Sequence, residues 1–168
     1  MKPEIVTIPE FYKGYIKSVL EHEYQDVLSI VFENSLSTLT NISEEKANYA
    51  YAEGKWTIKD IVQHIIDSER IFAYRMVAIA RGEKQGILGY DHNEYVDCAK
   101  ANSRSFISLL NEYKNLHQST KDLTASFTSE MLQSNGNANG SNIKVIDLIY
   151  INAGHQKHHM DVLKERYL

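Results

Sequence analysis

Three histidines lie within five residues near the C-terminal end of the chain: His155, His158 and His159. This segment is predicted to be helical, and positions four apart on a helix lie about 40° from each other around its axis. His155 and His159 therefore project side by side. Two imidazoles one turn apart form half of a metal site, so the rest must come from elsewhere in the chain.

The position of the pair on its helix indicates that both rings face the protein interior. At about 100° per residue, His155 and His159 fall in the apolar stripe that contains Leu148 and Val162. His158 falls on the flank of that stripe. A neutral imidazole has two ring nitrogens to satisfy, so a buried pair needs partners. The spacing leaves open whether those partners are a metal ion or hydrogen-bonding groups.

His64 is the candidate for a third ligand. It lies at the edge of the apolar face of a predicted helix that begins at Thr57, and Ser68 and Arg75 follow it along the same row. These side chains could line a cleft in which Arg75 steers an anionic group. Three histidine nitrogens with one position open to water are typical of a catalytic metal site. The alternative is that His64 is a hydrogen-bonded core residue.

Three other histidines have no partner at ligand spacing and are predicted to be ordinary surface or core-edge residues: His22, His92 and His117. Glu69 and Arg70 are predicted to form a charge pair on a helix surface. Asp67 and Glu69 are the nearest candidates for a general base, but neither projects in the direction of His64. The sequence therefore assigns no catalytic residue.

The composition indicates one globular domain over residues 1–168, with 43% hydrophobic and 24% charged residues. The net charge of −4 and the absence of a basic stripe argue against nucleic acid as a partner. One cysteine, Cys98, excludes an internal disulfide framework and suits a reducing cytoplasm. We find no signal peptide and no apolar run long enough to span a membrane.

The hydrophobic spacing predicts an all-α protein with four long helices, at residues 12–39, 57–82, 93–120 and 142–166. Thr57 and Asp60 can form the capping interaction that starts the second of them. Residues 133–142 are rich in asparagine and glycine and are predicted to form an exposed loop. At most a short extended pair is expected to flank residues 126–142. This pattern indicates a four-helix bundle with a long loop before the last helix.

Four segments, in order along the chain, resemble the DinB-like family, the damage-inducible DinB superfamily of metal-binding four-helix bundles. They are residues 51–60 (YAEGKWTIKD), 64–75 (HIIDSERIFAYR), 88–95 (LGYDHNEY) and 151–159 (INAGHQKHH). The resemblance implies a divalent metal ion held by one histidine of the second helix and two of the fourth. Those positions match His64, His155 and His159. Zinc and nickel are the first expectations for the ion, although three imidazoles also suit cobalt, copper and iron(II).

Proteins similar to this chain include S-transferases that use low-molecular-weight thiols, such as bacillithiol or mycothiol, and maleylpyruvate isomerase-like enzymes. The resemblance therefore favours a metal-dependent enzyme that binds a thiol as thiolate and a small-molecule substrate. The alternatives are a metal-dependent hydrolase and a non-catalytic metal-binding or stress-associated protein. The lack of an obvious general base favours thiol transfer. A homodimer is expected, because tyrosine and phenylalanine are abundant and similar proteins often pair through helix faces.

Overall fold

The computed structural model describes all 168 residues and is mainly helical. The helices are α1 (Glu10–Lys17), α2 (Val27–Leu39), α3 (Glu44–Ala47), α4 (Ile58–Ala80), α5 (His92–Ala99), α6 (Phe106–Ala125), α7 (Ser129–Gln133) and α8 (Val145–Arg166). Two strands, β1 (Asn135–Ala138) and β2 (Ser141–Lys144), form an antiparallel hairpin. None of the helices combines the length and the apolar character needed to cross a bilayer.

The four longest helices, α2, α4, α6 and α8, pack in a ring. Helix α8 lies against α2 and α4, and α6 lies against the same two helices from the other side. The short helix α1 packs on α8 as well. The mainly helical fold predicted from the sequence is confirmed, and α8 is covered by the three helices α1, α2 and α4.

Two of the predicted long helices are interrupted. The predicted helix 12–39 is divided into α1 and α2, and the predicted helix 93–120 is divided into α5 and α6. Hydrophobic spacing continues across the first break because Val19 and Val27, on either side of the turn, are both buried in the same core. The second break follows Lys100, whose left-handed backbone (φ 52°) cannot continue a helix.

Residues 133–142 are mostly exposed, as predicted, but most of them form a hairpin instead of a loop. Residues Asn135–Ala138 pair with Ser141–Lys144, and the side chains of Ala138 and Ile143 are buried. Asn139 and Gly140 form the turn with positive φ angles of 53° and 75°, as the tightest hairpin turns require. Strands of four residues are too short to show a clear alternation of apolar and polar positions. The many asparagines and glycines of the segment therefore indicated a loop.

The hairpin also fixes the connection between α4 and α5. The backbone N–H of Ile87 donates to the carbonyl oxygen of Asn137 at 3.0 Å, and the N–H of Asn139 donates to that of Ile87 at 2.8 Å. Leu88, Gly89 and Tyr90 follow directly on this anchored residue. The connection is therefore held against the rest of the protein at the point where it approaches α4 and α8.

Buried polar side chains occupy the middle of the helical ring. Gln156 of α8 donates to the hydroxyl of Ser35 at 3.1 Å and also contacts the hydroxyl of Tyr113. Glu69 of α4 is 1% exposed, so the predicted surface pair with Arg70 is wrong. The periodicity of α4 could not show this, because only the position of α6 decides which charged residues of α4 are covered.

Gly154 allows α1 to approach α8 closely. A Cβ atom at this position would lie 2.1 Å from the carbonyl oxygen of Tyr15, well inside van der Waals contact. We expect Gly154→Ala to lower the free energy of unfolding by about 1–3 kcal/mol, because the backbone of α1 must move away. Urea denaturation followed by circular dichroism measures this change.

Gly14 provides the matched control for this prediction, since it lies within α1 with no atom within 4 Å of a Cβ built on it. Gly14→Ala should raise the free energy of unfolding by about 0.5–1 kcal/mol, because alanine is the better helix former. If Gly154→Ala also raised stability, the close approach of the two helices would not be the reason for the glycine.

Candidate metal centre

The local structure around His64 is set by the start of α4. The Thr57 hydroxyl accepts from the backbone N–H of Asp60 at 3.1 Å, and the Asp60 carboxylate accepts from the N–H of Thr57 at 2.9 Å. His64 follows one turn later on the face that packs against α8. The ring of Trp56, just before the helix, lies 4.9 Å from the His64 ring. The predicted start of this helix is confirmed.

The structure brings the three predicted histidines together. Nε2 of His155 lies 3.1 Å from Nε2 of His64 and 3.1 Å from Nε2 of His159. The ligand atoms of all three side chains lie within 4.8 Å of one another. Three nitrogens placed about 2.0–2.1 Å from a tetrahedral ion are roughly 3.3 Å apart, so the observed spacing is close to that of a metal site.

Burial keeps these imidazoles neutral. It lowers the pKa of His64 to about 4 and that of His159 to about 3, and it holds the pKa of His155 well below its usual range. Neighbouring imidazoles lower all three values further. Each neutral ring offers one lone pair, and a single Nε2 of His155 cannot satisfy both neighbours by hydrogen bonding. This set of donor atoms fits a divalent cation better than it fits a hydrogen-bonded cluster.

A cavity of about 410 Å³ opens beside the three histidines. Six aromatic side chains contribute to its wall: Phe11, Tyr12, Tyr15, Trp56, Phe72 and Tyr90. The Tyr90 hydroxyl is hydrogen-bonded to the Ser68 hydroxyl at 2.8 Å, which fixes that part of the wall. A ligand in this cavity would lie next to the convergent nitrogens, in surroundings that are mostly apolar.

The polar residues of the cavity wall are Arg75, His92, Asn139 and His158, and none of the lining residues is acidic. Two members of the row predicted to line a cleft, His64 and Arg75, line the cavity, whereas Ser68 is buried and is not a lining residue. Asp67 instead pairs with Gln63 and Arg70 outside the cavity. No carboxylate is in place to accept a proton from a ligand.

His92 is exposed, in agreement with the prediction of a surface or core-edge residue, but it also lies beside the three histidines. Its ring lies 5.9 Å from that of His64 and 6.0 Å from that of Trp56, at the rim of the cavity. Spacing along the chain could not reveal this contact, because 27 residues separate the two histidines and the loop path decides it. One available signal was Asp91, which caps α5 and so places His92 in its first turn.

The remaining histidines are distributed as follows. His158 is exposed at the cavity mouth, where its ring lies 5.5 Å from that of Tyr15, and it is not part of the convergent group. His117 is a core residue stacked on Phe32 at 3.9 Å. His22 lies at the surface beside Glu21, as predicted.

Residues 28–163 match the family model of the DinB superfamily. The chain is 24% identical over 155 residues to "Putative metal-dependent hydrolase OB0782" of Oceanobacillus iheyensis, covering 91% of this chain and 90% of that protein.

Two solved structures have a similar fold. YfiT from Bacillus subtilis, described as "a probable metal-dependent hydrolase with an unusual four-helix bundle topology", superposes with a TM-score of 0.72 at 17% identity, over 98% of this chain and 90% of that one. A mycothiol-dependent maleylpyruvate isomerase superposes with a TM-score of 0.69 at 10% identity, over 98% of this chain and 63% of that one. The family match extends over most of the chain, and the chain therefore belongs to the DinB superfamily.

Proposed function

We propose that His64, His155 and His159 hold one divalent metal ion, with at least one coordination position directed into the cavity, and that the protein is a metal-dependent enzyme. The observation that carries this proposal is the convergence of three neutral Nε2 atoms beside a cavity large enough for a small molecule. Zinc and nickel are the first candidates for the ion. The names of the relatives, two of which refer to metal-dependent hydrolases, support the same assignment. In this proposal α2, α4, α6 and α8 form the four-helix bundle of the family.

The reaction that the cavity supports best is S-transfer from a low-molecular-weight thiol. A divalent ion in this site would lower the pKa of a bound thiol, so that the thiolate forms at neutral pH. Thiol transfer needs no carboxylate general base, and the cavity wall contains none. The aromatic wall would exclude water and hold the electrophilic substrate against the thiol.

Metal analysis of the purified protein, followed by a thiol-transfer assay, tests this function. The assay combines bacillithiol or mycothiol with the electrophile 1-chloro-2,4-dinitrobenzene, and compares the metal-loaded protein with the protein stripped by a chelator. We expect thioether formation that requires the ion. Ester or amide hydrolysis without any thiol would contradict thiol transfer and favour the second candidate.

The second candidate is a metal-dependent hydrolase, and the position of His92 favours it. His92 and His158 are the two imidazoles on the cavity wall outside the convergent group, and either could accept a proton from a water molecule. The relatives named as hydrolases agree with this alternative. The two candidates differ in whether these imidazoles are needed.

Replacing His92 by asparagine distinguishes the two reactions. We expect His92→Asn to reduce thiol transfer less than about tenfold, because a thiolate needs no separate base, whereas loss of a general base costs roughly 100-fold or more. Steady-state kinetics of His92→Asn, His158→Asn and the double variant measure the effect. A loss of thiol transfer of more than about 100-fold in any of them, with metal content unchanged, would show that the reaction needs one of these imidazoles as a general base.

A further inference from the structure

Arg75 is a buried cation without a counter-charge. It is 3% exposed, it contributes to the cavity wall, and no carboxylate lies within ion-pairing distance of it. One Nη atom donates to the carbonyl oxygen of Leu88 at 3.2 Å, whereas the buried Nε has no acceptor in the protein. A buried guanidinium is costly unless an anion compensates it, so this arrangement points to an anionic ligand.

The charge balance of the cavity leads to the same conclusion. None of the lining residues is acidic, and the three histidines at one end are suited to a cation. The walls are mainly aromatic, so little polar surface is present to screen a charge. With a divalent ion held by the histidines, both ends of this cavity would therefore attract an anionic ligand.

Arg75 and the histidines line the same cavity, and both lie near Phe72. The Phe72 ring centroid lies 6.0 Å from Cζ of Arg75 and 5.7 Å from the ring centroid of His155. The guanidinium and the His155 ring are therefore both neighbours of one aromatic side chain. A small molecule lying along this ring would contact both, with its anionic end at the planar donor fork of Arg75.

The position of Arg75 is maintained from outside the cavity. Its acceptor, Leu88, follows Ile87, which is hydrogen-bonded to the hairpin on both its N–H and its carbonyl oxygen. On the other side of the acceptor, Tyr90 is hydrogen-bonded to Ser68 of α4. The guanidinium is therefore held by an anchored segment before any ligand arrives, which reduces the entropy lost on binding.

We infer that Arg75 determines substrate specificity by binding a carboxylate, so that the enzyme takes a small molecule with a carboxylate at one end and a group that reaches the histidine cluster at the other. This inference rests on the proposed function, since the cavity is taken to be the substrate site. It adds the class of the ligand and the residue that selects it.

The test compares an acid with its neutral amide. 3-Mercaptopropionate and 3-mercaptopropionamide are titrated by isothermal calorimetry into the nickel-loaded protein and into the protein stripped by a chelator. We expect the unaltered protein to bind the acid at least about tenfold more tightly than the amide, and Arg75→Gln to bind both equally. Arg81→Gln, which changes an exposed arginine beyond the end of α4, should keep the preference.

If circular dichroism shows that Arg75→Gln does not fold, Arg75→Lys replaces it in the acid–amide comparison. It keeps the charge but loses the planar fork, so the preference for the acid should fall by severalfold. Equal binding of acid and amide by the unaltered protein would overturn the inference, and so would an unchanged preference in Arg75→Lys or in a folded Arg75→Gln. Failure to take up metal would refute the proposed function, whereas the acid–amide comparison in stripped protein still reports on Arg75.

Discussion

Replacing His155 by alanine is expected to lower the affinity for nickel or zinc at least about 100-fold, since even residues that only orient a metal ligand are worth 10- to 100-fold. Among the three convergent atoms, Nε2 of His155 is the one within 3.1 Å of both others. Its removal leaves two imidazoles on different helices, His64 on α4 and His159 on α8. Two ligands cannot hold an ion as three do.

Trp56 provides the measurement, because it is the single tryptophan of the chain and its ring centroid lies 4.9 Å from that of His64 and 6.3 Å from that of His159. A paramagnetic ion such as nickel, bound at this distance, should quench its fluorescence. The control is His158→Ala, which removes an exposed imidazole outside the convergent group and should change the affinity little. Equal losses in the two variants would refute the assignment of the ligands.

Replacing Glu69 by glutamine is expected to abolish a loss of stability that the unaltered protein undergoes as the pH rises. Burial raises the pKa of Glu69 to about 7, from 4.5 for an ordinary glutamate. Between these values the folded protein keeps a proton that the unfolded chain releases. The contribution of Glu69 to the free energy of unfolding is therefore fully present below pH 4.5, and it is lost as the pH rises through 7. The total loss is about 3 kcal/mol, and glutamine, which does not ionise, avoids it.

Urea denaturation at pH 5 and pH 8, in the presence of a chelator, measures this effect. The histidines titrate in the same way in both proteins, so the difference between them isolates Glu69. Glu45→Gln is the matched control, since Glu45 is exposed and should leave the pH dependence unchanged. Parallel stability curves for Glu69→Gln and the unaltered protein would show that Glu69 is ionised in the folded state.

Local sequence signals were enough for α4 and α8 and for the pairing of His155 with His159. Thr57 and Asp60 predicted the start of α4 because a capping interaction depends on four consecutive residues. His155 and His159 were predicted to be neighbours because a helix repeats every 3.6 residues. The choice of His64 depended on its helix face and on the resemblance to DinB-like proteins. The structure places it beside the pair, with Nε2 of His64 3.1 Å from Nε2 of His155.

Contacts between distant segments decided the other features. The hairpin formed where a loop was predicted, because backbone pairing with Ile87 and burial of Ala138 and Ile143 stabilise strands too short to be recognised by pattern. His92 reaches the cavity because the connection after α4 folds back towards the start of that helix. Periodicity alone identifies a covered face only when that face is apolar.

Arg75 and Glu69 show the same limit for charged residues. The sequence placed Arg75 in a row with His64, but only the packed structure shows that it has no carboxylate partner. Glu69 is buried, although the next residue along the chain, Arg70, is exposed. Whether a charged side chain is solvated, paired or left without a partner depends on the residues that surround it in space, and the order of residues along one helix does not determine those.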